Sequence, residues 1–348
     1  MISDTKKELN FDEIREIGQE GKNSTVYLAK DLQLDANIVV KRISKASLPL
    51  NSDFFKEAKI LYASSHPFVI KVIYGCFDEE NVYLAMPFYK NGSLKKLIDS
   101  RFLTIREVIR YSIQFLSGLH NIHSKGLIHF DIKPDNILIS DSNEALLSDF
   151  GLAKYLNQID NEAPFVYGKH VPPEILNGQN PSISSDIFMA GLTLYRLING
   201  NVNFDSQIRE HNGDLPNAIL NGIFPDRNKY LAHVPYKLIK VIKKAIDPNP
   251  PDRYTSVLDL INEISSVDNN LDWKFSESPN NKKWILEYPD KVIEVKLINK
   301  QGNLFDIESN KTMLASSKKT KIGAHTYKDL KSTNYFSKLK SVLLDLSS

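Results

Sequence analysis

The sequence predicts an α+β protein made of a small strand-rich lobe, a larger and mainly helical lobe, and a smaller strand-containing C-terminal unit. From Phe11 to Met86, short apolar runs alternate with polar turns, with one helical interruption. From Thr104 to Ile264, apolar residues recur at helical spacing. Beyond residue 268 the composition changes: residues 269–348 hold 14 Lys and no Arg against 9 Asp and Glu, net +5. That leaves 30 basic against 33 acidic residues, net −3, for 1–268. The boundaries read 11–86 for the first lobe, 90–268 for the second and 269–348 for the appended unit. Single cores stop growing near ~250–300 residues, so 348 residues fit a chain divided in this way.

Bulk properties exclude more than they suggest. The net charge of +2 gives no global signal for nucleic acid. Cys76 is the only cysteine, so no intramolecular disulfide can form. No run approaches the ~20 apolar residues of a membrane-spanning helix, and the N-terminus lacks the apolar core of a signal peptide. The reading is a soluble cytoplasmic chain with no membrane partner.

In the first lobe, IGQEGKNSTVYLAK (17–30) places Gly18, Gly21 and Ser24 between two strands, where small residues let the backbone approach phosphates. Alone, such a cluster is also an ordinary hairpin turn. Ile38-Val39-Val40-Lys41 is a β-branched run ending in a lysine, and the run from Phe54 to Leu61, with Asp53 near its start, has helical spacing. Taken singly, Lys41 is a strand-edge lysine and Glu57 an exposed helix charge; paired, Glu57 would orient Lys41 toward phosphate. Residues 82–94 leave this lobe through an extended connector containing Pro87.

The second lobe opens on Thr104-Ile105-Arg106-Glu107, a capping-box spacing, followed by a long amphipathic helix. His120 and His123 near its end read as packing or solvated histidines, since no further Cys or His cluster gives metal-ligand spacing. Residues 129–151, HFDIKPDNILISDSNEALLSDFG, read as a loop, a two-stranded hairpin and a second loop. Such a hairpin brings Asn136 and Asp149 together, as a site needs when divalent cations bridge phosphate oxygens. Residues 152–174 lack periodicity and read as a loop. Residues 186–199 are apolar nearly all round, which predicts a central helix. Further helices are read around Asn217–Leu220, Tyr236–Ile246 and Ser256–Ile264.

VDNNLDW (267–273) reads as a linker, and 282–309 as two or three strands with Pro289-Asp290 as a hairpin turn. The lysines that follow interleave with Tyr327, Tyr335 and Phe336. They suit nucleic acid, an acidic partner, or simply a solvated lysine face.

In their order these features resemble the eukaryotic-type protein kinases over about 11–265, with bacterial or viral serine/threonine members as the nearest impression. The resemblance implies the bilobal kinase fold and phosphoryl transfer from ATP, with Mg²⁺ or Mn²⁺, to a protein substrate. It implies that Asp131 receives the acceptor's proton, Lys133 stabilises the transferred group, and Asn136 and Asp149 bind metal. Lys41, held by Glu57, would contact the phosphates beneath a Gly-rich loop of residues 18–26, which includes Gly18, Gly21 and Ser24. Val26, Val39 and Leu138 would flank adenine, with Met86 as gatekeeper and Pro87 and Tyr89 in the hinge. His129, Phe150, Glu174, Asp186 and Arg253 would be structural, with Glu174 paired to Arg253 and Asp186 anchoring the catalytic loop.

The chain departs from the pattern in four places. The Gly-rich loop is one residue longer, with Ser24 for a glycine; Val39 replaces alanine; and the threonine before Pro172-Pro173-Glu174 is replaced within YGKHVPPE. Most telling, Phe130 replaces the arginine that receives an activation-loop phosphate, and residues 152–173 contain no Ser or Thr, only Tyr155 and Tyr167. Activity independent of Ser/Thr phosphorylation in this loop is the expectation. Lys133 favours Ser/Thr over Tyr specificity. A pseudokinase scaffold and a small-molecule kinase are the alternatives.

Overall fold

The computed structural model describes residues 10–347, apart from 19–23, 48–52, 54, 157–167, 212 and 280. The first lobe is an antiparallel sheet of β1 (Phe11–Gly18), β2 (Ser24–Asp31), β3 (Ala36–Ser44), β4 (Tyr74–Phe77) and β5 (Asn81–Pro87), ordered β1-β2-β3-β5-β4. Its register aligns Val26, Lys41 and Leu84, and likewise Leu28, Val39 and Met86. Because strand side chains alternate, these six share one face, and Ala29, Ile38, Val40 and Ala85 form a small cluster on the other. Helix α1 (Lys56–Ala63) falls between β3 and β4 in the chain and buries Ile60 and Leu61. Asp53 accepts from the Phe55 N–H at 3.1 Å and pairs with Lys59 at 2.7 Å, as its place ahead of the helix suggests.

The second lobe contains α2 (Leu94–Ser100), α3 (Ile105–Ser124), β6 (Leu127–Ile128), β7 (Ile137–Ile139), β8 (Ala145–Leu147) and β9 (Lys154–Tyr155). Helices α4 (Pro173–Leu176), α5 (Ile183–Asn199), α6 (Asn201–Glu210), α7 (Leu215–Leu220), α8 (Tyr236–Ala245) and α9 (Val257–Ser265) follow. The capping box forms as the spacing predicts, with Thr104 Oγ1 accepting from the Glu107 N–H at 3.2 Å and Glu107 from the Thr104 N–H at 2.9 Å. Helix α5 is buried from Ser185 to Asn199, as an all-round apolar sequence demands. It packs closely on the end of α8: a Cβ at Gly191 would lie 2.6 Å from Ile246 Cγ2, so only glycine fits. The expected hairpin is β7 with β8, Ile137 opposite Leu147. The expected loop at 152–174 contains a short strand, β9, paired with β6.

After α9 come β10 (Lys274–Ser278), β11 (Asn281–Glu287), β12 (Lys291–Lys300), β13 (Leu304–Met313), β14 (Lys319–Lys321), β15 (Tyr327–Lys331) and α10 (Tyr335–Ser347). They form an antiparallel sheet ordered β10-β11-β12-β13-β14, with β15 also on β13. Residues 282–309 hold three strands, and Pro289-Asp290 lies in the turn between β11 and β12. Helix α10 went unread in the sequence; it supplies the buried Leu339, Val342 and Leu343.

The segment 267–273 is packed rather than a free linker. Val267 is buried, Trp273 is fully buried, and the Arg106 N–H donates to the Leu271 carbonyl at 2.8 Å. Around it, Arg106 pairs with Asp272 at 2.6 and 2.8 Å, and Phe102 meets Phe275 edge-on at 4.7 Å. Trp284 Nε1 donates to His233 Nδ1 at 3.0 Å, and Trp273 Nε1 to the Leu343 carbonyl at 3.2 Å. One apolar core therefore runs from the helical lobe into the C-terminal sheet. Among the described residues, no helix is long and apolar enough to cross a membrane.

Candidate active site

Asp186, near the start of α5, organises the loop after β6. Its Oδ2 accepts from the His129 N–H and its Oδ1 from the Phe130 N–H, both at 2.8 Å. His123 Nε2 lies 2.7 Å from Oδ2, so this residue of α3, read as packing or solvated, braces the anchor instead. Nothing in the sequence pointed to that pair, 63 positions apart. Held by these bonds, Phe130 sits at φ +63°, a left-handed conformation uncommon for a bulky residue. Its ring is buried.

His129 is buried and edge-on to Phe150, with ring centres 4.8 Å apart. Its Nδ1 accepts from the Asp131 N–H at 3.3 Å, so Nε2 carries the proton that meets the Ser148 carbonyl at 3.0 Å. Burial first, against the pull of Asp186 and Asp131, lowers its pKa and keeps the ring neutral.

Two residues beyond His129, Asp131 Oδ2 accepts from Lys133 Nζ at 2.8 Å and Asn136 Nδ2 at 2.7 Å. Asn136 Nδ2 also donates to the Asp131 carbonyl at 3.0 Å. Burial lowers the Lys133 pKa, but Asp131, Asp149 and Asp135 outweigh it and raise the net value. The backbone carbonyl of Asn136 takes both the N–H and the hydroxyl of Ser148. That ties β7 to the residue before Asp149.

Asp149, at φ +57°, turns its Oδ1 to within 3.1 Å of Lys41 Nζ, which also lies 3.0 Å from Glu57 Oε1. Burial would lower the Lys41 pKa; Glu57 and Asp149 together hold it far above the ordinary lysine value, so the ammonium stays charged. A Cβ at Gly151 would press on Asp149 Oδ1 at 3.3 Å.

The buried Asn136 Oδ1 is an acceptor with no hydrogen-bond partner. An orphaned buried oxygen is costly, and a cation is a natural way to satisfy it. Asp149 follows Ser148, which the Asn136 carbonyl holds, and Asn136 and Asp149 would supply the few protein oxygens that Mg²⁺ takes when phosphates and waters complete its shell. No group of three or more His, Cys, Asp or Glu suited to a metal occurs among the described residues.

Val26, Val39, Met86 and Leu138 are buried or half-buried, with Pro87 at the end of β5 and Tyr89 half-buried just beyond. Gly18 closes β1 and Ser24 opens β2. Gly21 and Tyr167 lie outside the described residues.

Farther out, Arg253 grips Glu174 through both carboxylate oxygens, at 2.9 and 2.8 Å, and Ser185 Oγ donates to the same group at 2.8 Å. Such a bidentate pair fixes geometry as well as charge.

A family model described as a protein kinase domain matches residues 11–266. The chain belongs to the protein kinase family. It is 29% identical over 266 residues to a probable serine/threonine-protein kinase PknB of Lactococcus lactis, covering 73% of this chain and 41% of that protein. Serine/threonine-protein kinase PknK of Mycobacterium tuberculosis is 28% identical, covering 75% of this chain and 24% of its own length. Human 3-phosphoinositide-dependent protein kinase 1 is 32% identical over 195 residues, 52% of this chain and 34% of that one. The chain thus spans less than half the length of these relatives.

Proposed function

We propose that this kinase-family chain transfers the γ-phosphoryl group of ATP to Ser or Thr hydroxyls of protein substrates. The observation that carries the reading is the joining of Lys41, Glu57 and Asp149 into one ion-pair chain, together with a buried Asn136 oxygen that has no hydrogen-bond partner. Bound Mg²⁺ would neutralise phosphate charge. In this reading Asn136 and Asp149 hold it, and Lys41, fixed by Glu57, receives the α- and β-phosphates. Val26, Val39 and Leu138 enclose the adenine behind Met86, and Pro87 and Tyr89 offer backbone groups to its edge. Asp131, oriented by Asn136, accepts the hydroxyl proton, while Lys133 faces the transferred group. The likeness to serine/threonine-protein kinases supports the acceptor class.

Radiolabelled ATP turnover by the purified chain, compared with Asp149→Ala, tests this. Loss of labelling is expected in the variant; equal labelling in both would discard the enzyme reading in favour of a scaffold.

The buried Phe130 offers no charge to a phosphate, and residues 152–173 offer no Ser or Thr. Both support activity that does not wait for Ser/Thr phosphorylation there. A phosphosite map after incubation with ATP checks this, and an essential phosphorylated residue in that loop would sink it.

We assign residues 11–268 to the kinase domain and 269–348 to an accessory unit that completes the helical lobe, a reading supported by the shared core. Nucleic acid and an acidic partner have less support, because Lys300 is engaged by Asp306 and Asp329, and Lys296 and Lys319 by Glu294.

A further inference from the structure

Arg196 is buried within helix α5, its side chain 8% exposed. A guanidinium in such a place is costly unless its donors find partners and its charge is balanced. Its Nε donates to Asn201 Oδ1 at 2.9 Å, and Asn201 Nδ2 in turn donates to Asp99 on α2. One terminal nitrogen meets His170 Nε2 at 2.9 Å and approaches Asp135 Oδ2 at 3.6 Å. The Phe204 ring lies 5.2 Å from the guanidinium carbon. Since a guanidinium only donates, His170 Nε2 must be the acceptor and the imidazole neutral.

The two ends of this contact belong to separate segments. Asp135 stands between Lys133 and Asn136 in the loop that carries Asp131, whereas His170 stands four residues before Glu174. The stretch leading to Glu174 is the one without Ser or Thr, and Phe130 gives it no cation to bind. An internal arginine reaching both segments from below supplies a fixed attachment that no modification has to create.

We propose that Arg196 is a positioning residue that fastens residues 168–174 to the catalytic loop, through His170 on one side and Asp135 on the other. The phosphoacceptor would then meet Asp131 beside a segment already in place. This rests on the phosphoryl-transfer reading above.

His170→Phe keeps a ring but removes the acceptor; His170→Gln restores an acceptor oxygen; Arg196→Met removes the donor. Each variant of the whole chain is assayed with myelin basic protein and ATP, varying each substrate in turn. In His170→Phe the KM for the protein acceptor is expected to rise at least fivefold, with the KM for ATP within twofold of the parent and His170→Gln recovering most of the loss. A merely structural role would lower the folded fraction and leave the acceptor KM of the remainder unchanged. Should Arg196→Met fail to fold, the His170 pair decides alone. An unchanged acceptor KM in folded His170→Phe, or a Gln variant no better than Phe, overturns the proposal. A parent protein without turnover overturns the kinase reading itself, and this one with it.

Discussion

Replacing Asp186 by Asn tests whether one buried carboxylate holds the catalytic loop. The carboxylate accepts three bonds: two at Oδ2, from the His129 N–H and His123 Nε2, and one at Oδ1, from the Phe130 N–H. An amide has the same shape but one acceptor oxygen. Its best orientation keeps oxygen toward His129 and His123, which turns the amide NH₂ against the Phe130 N–H, donor to donor. A buried donor left unmet costs about 1–3 kcal/mol, and the two surviving bonds each lose charge assistance worth about 1 kcal/mol. The sum is a loss of about 3–5 kcal/mol, read from the urea midpoint at unchanged m. Because Phe130 is held left-handed by that N–H, phosphoryl transfer should fall together with stability. His123→Phe removes one of the three bonds and should cost only about 1 kcal/mol. Asp186→Asn within 0.5 kcal/mol of the parent, or no worse than His123→Phe, would refute the reasoning.

Three buried histidines should make the fold acid-sensitive. Burial lowers the pKa of His129, His170 and His233, the last to about 3, below the unfolded value near 6.5. A depressed histidine pKa means the unfolded chain binds more protons, so stability is lost as pH falls below 6.5. His233, with a folded value of about 3, by itself adds a slope approaching about 1.4 kcal/mol per pH unit below the unfolded value, and His233→Gln should remove that part in urea titrations at pH 5 to 7. Trp284→Ala should cost about 3–5 kcal/mol by emptying the junction and leaving His233 Nδ1 without its donor. A chain ending at residue 268 should lose more, since it uncovers Phe102 and His233 together; equal thermal stability of the long and short chains would make residues 269–348 incidental.

Much of the site was readable because its chemistry is crowded into 129–151, where short-range geometry dominates. Asp131, Lys133 and Asn136 lie on one loop, and a hairpin with five residues between its strands, 140–144, closes the distance to Asp149. The pairing of Lys41 with Glu57 was one of two open readings until the family resemblance favoured it, and that of Glu174 with Arg253 came only from that resemblance, for nothing local links two residues 79 positions apart. The partnerships of His123 with Asp186 and of His170 with Arg196 were not readable at all. A lone polar residue on a helix carries no periodic signal, and its partner is decided by how helices stack. The same holds for 267–273, whose polar composition suggested a linker while Val267 and Trp273 anchor it.

The continuous core also bears on how the chain is made. Synthesis runs from the N-terminus, and domains generally fold as units as they emerge. Here the surface around Phe102, Arg106 and His233 stays uncovered until β10 and β11 have formed, and the indole of Trp273 waits for Leu343, in the last turns of α10. The helical lobe therefore leaves the ribosome with an apolar flank exposed for the time needed to add about 70 more residues, and that interval is when it is most open to chaperones and to misassociation.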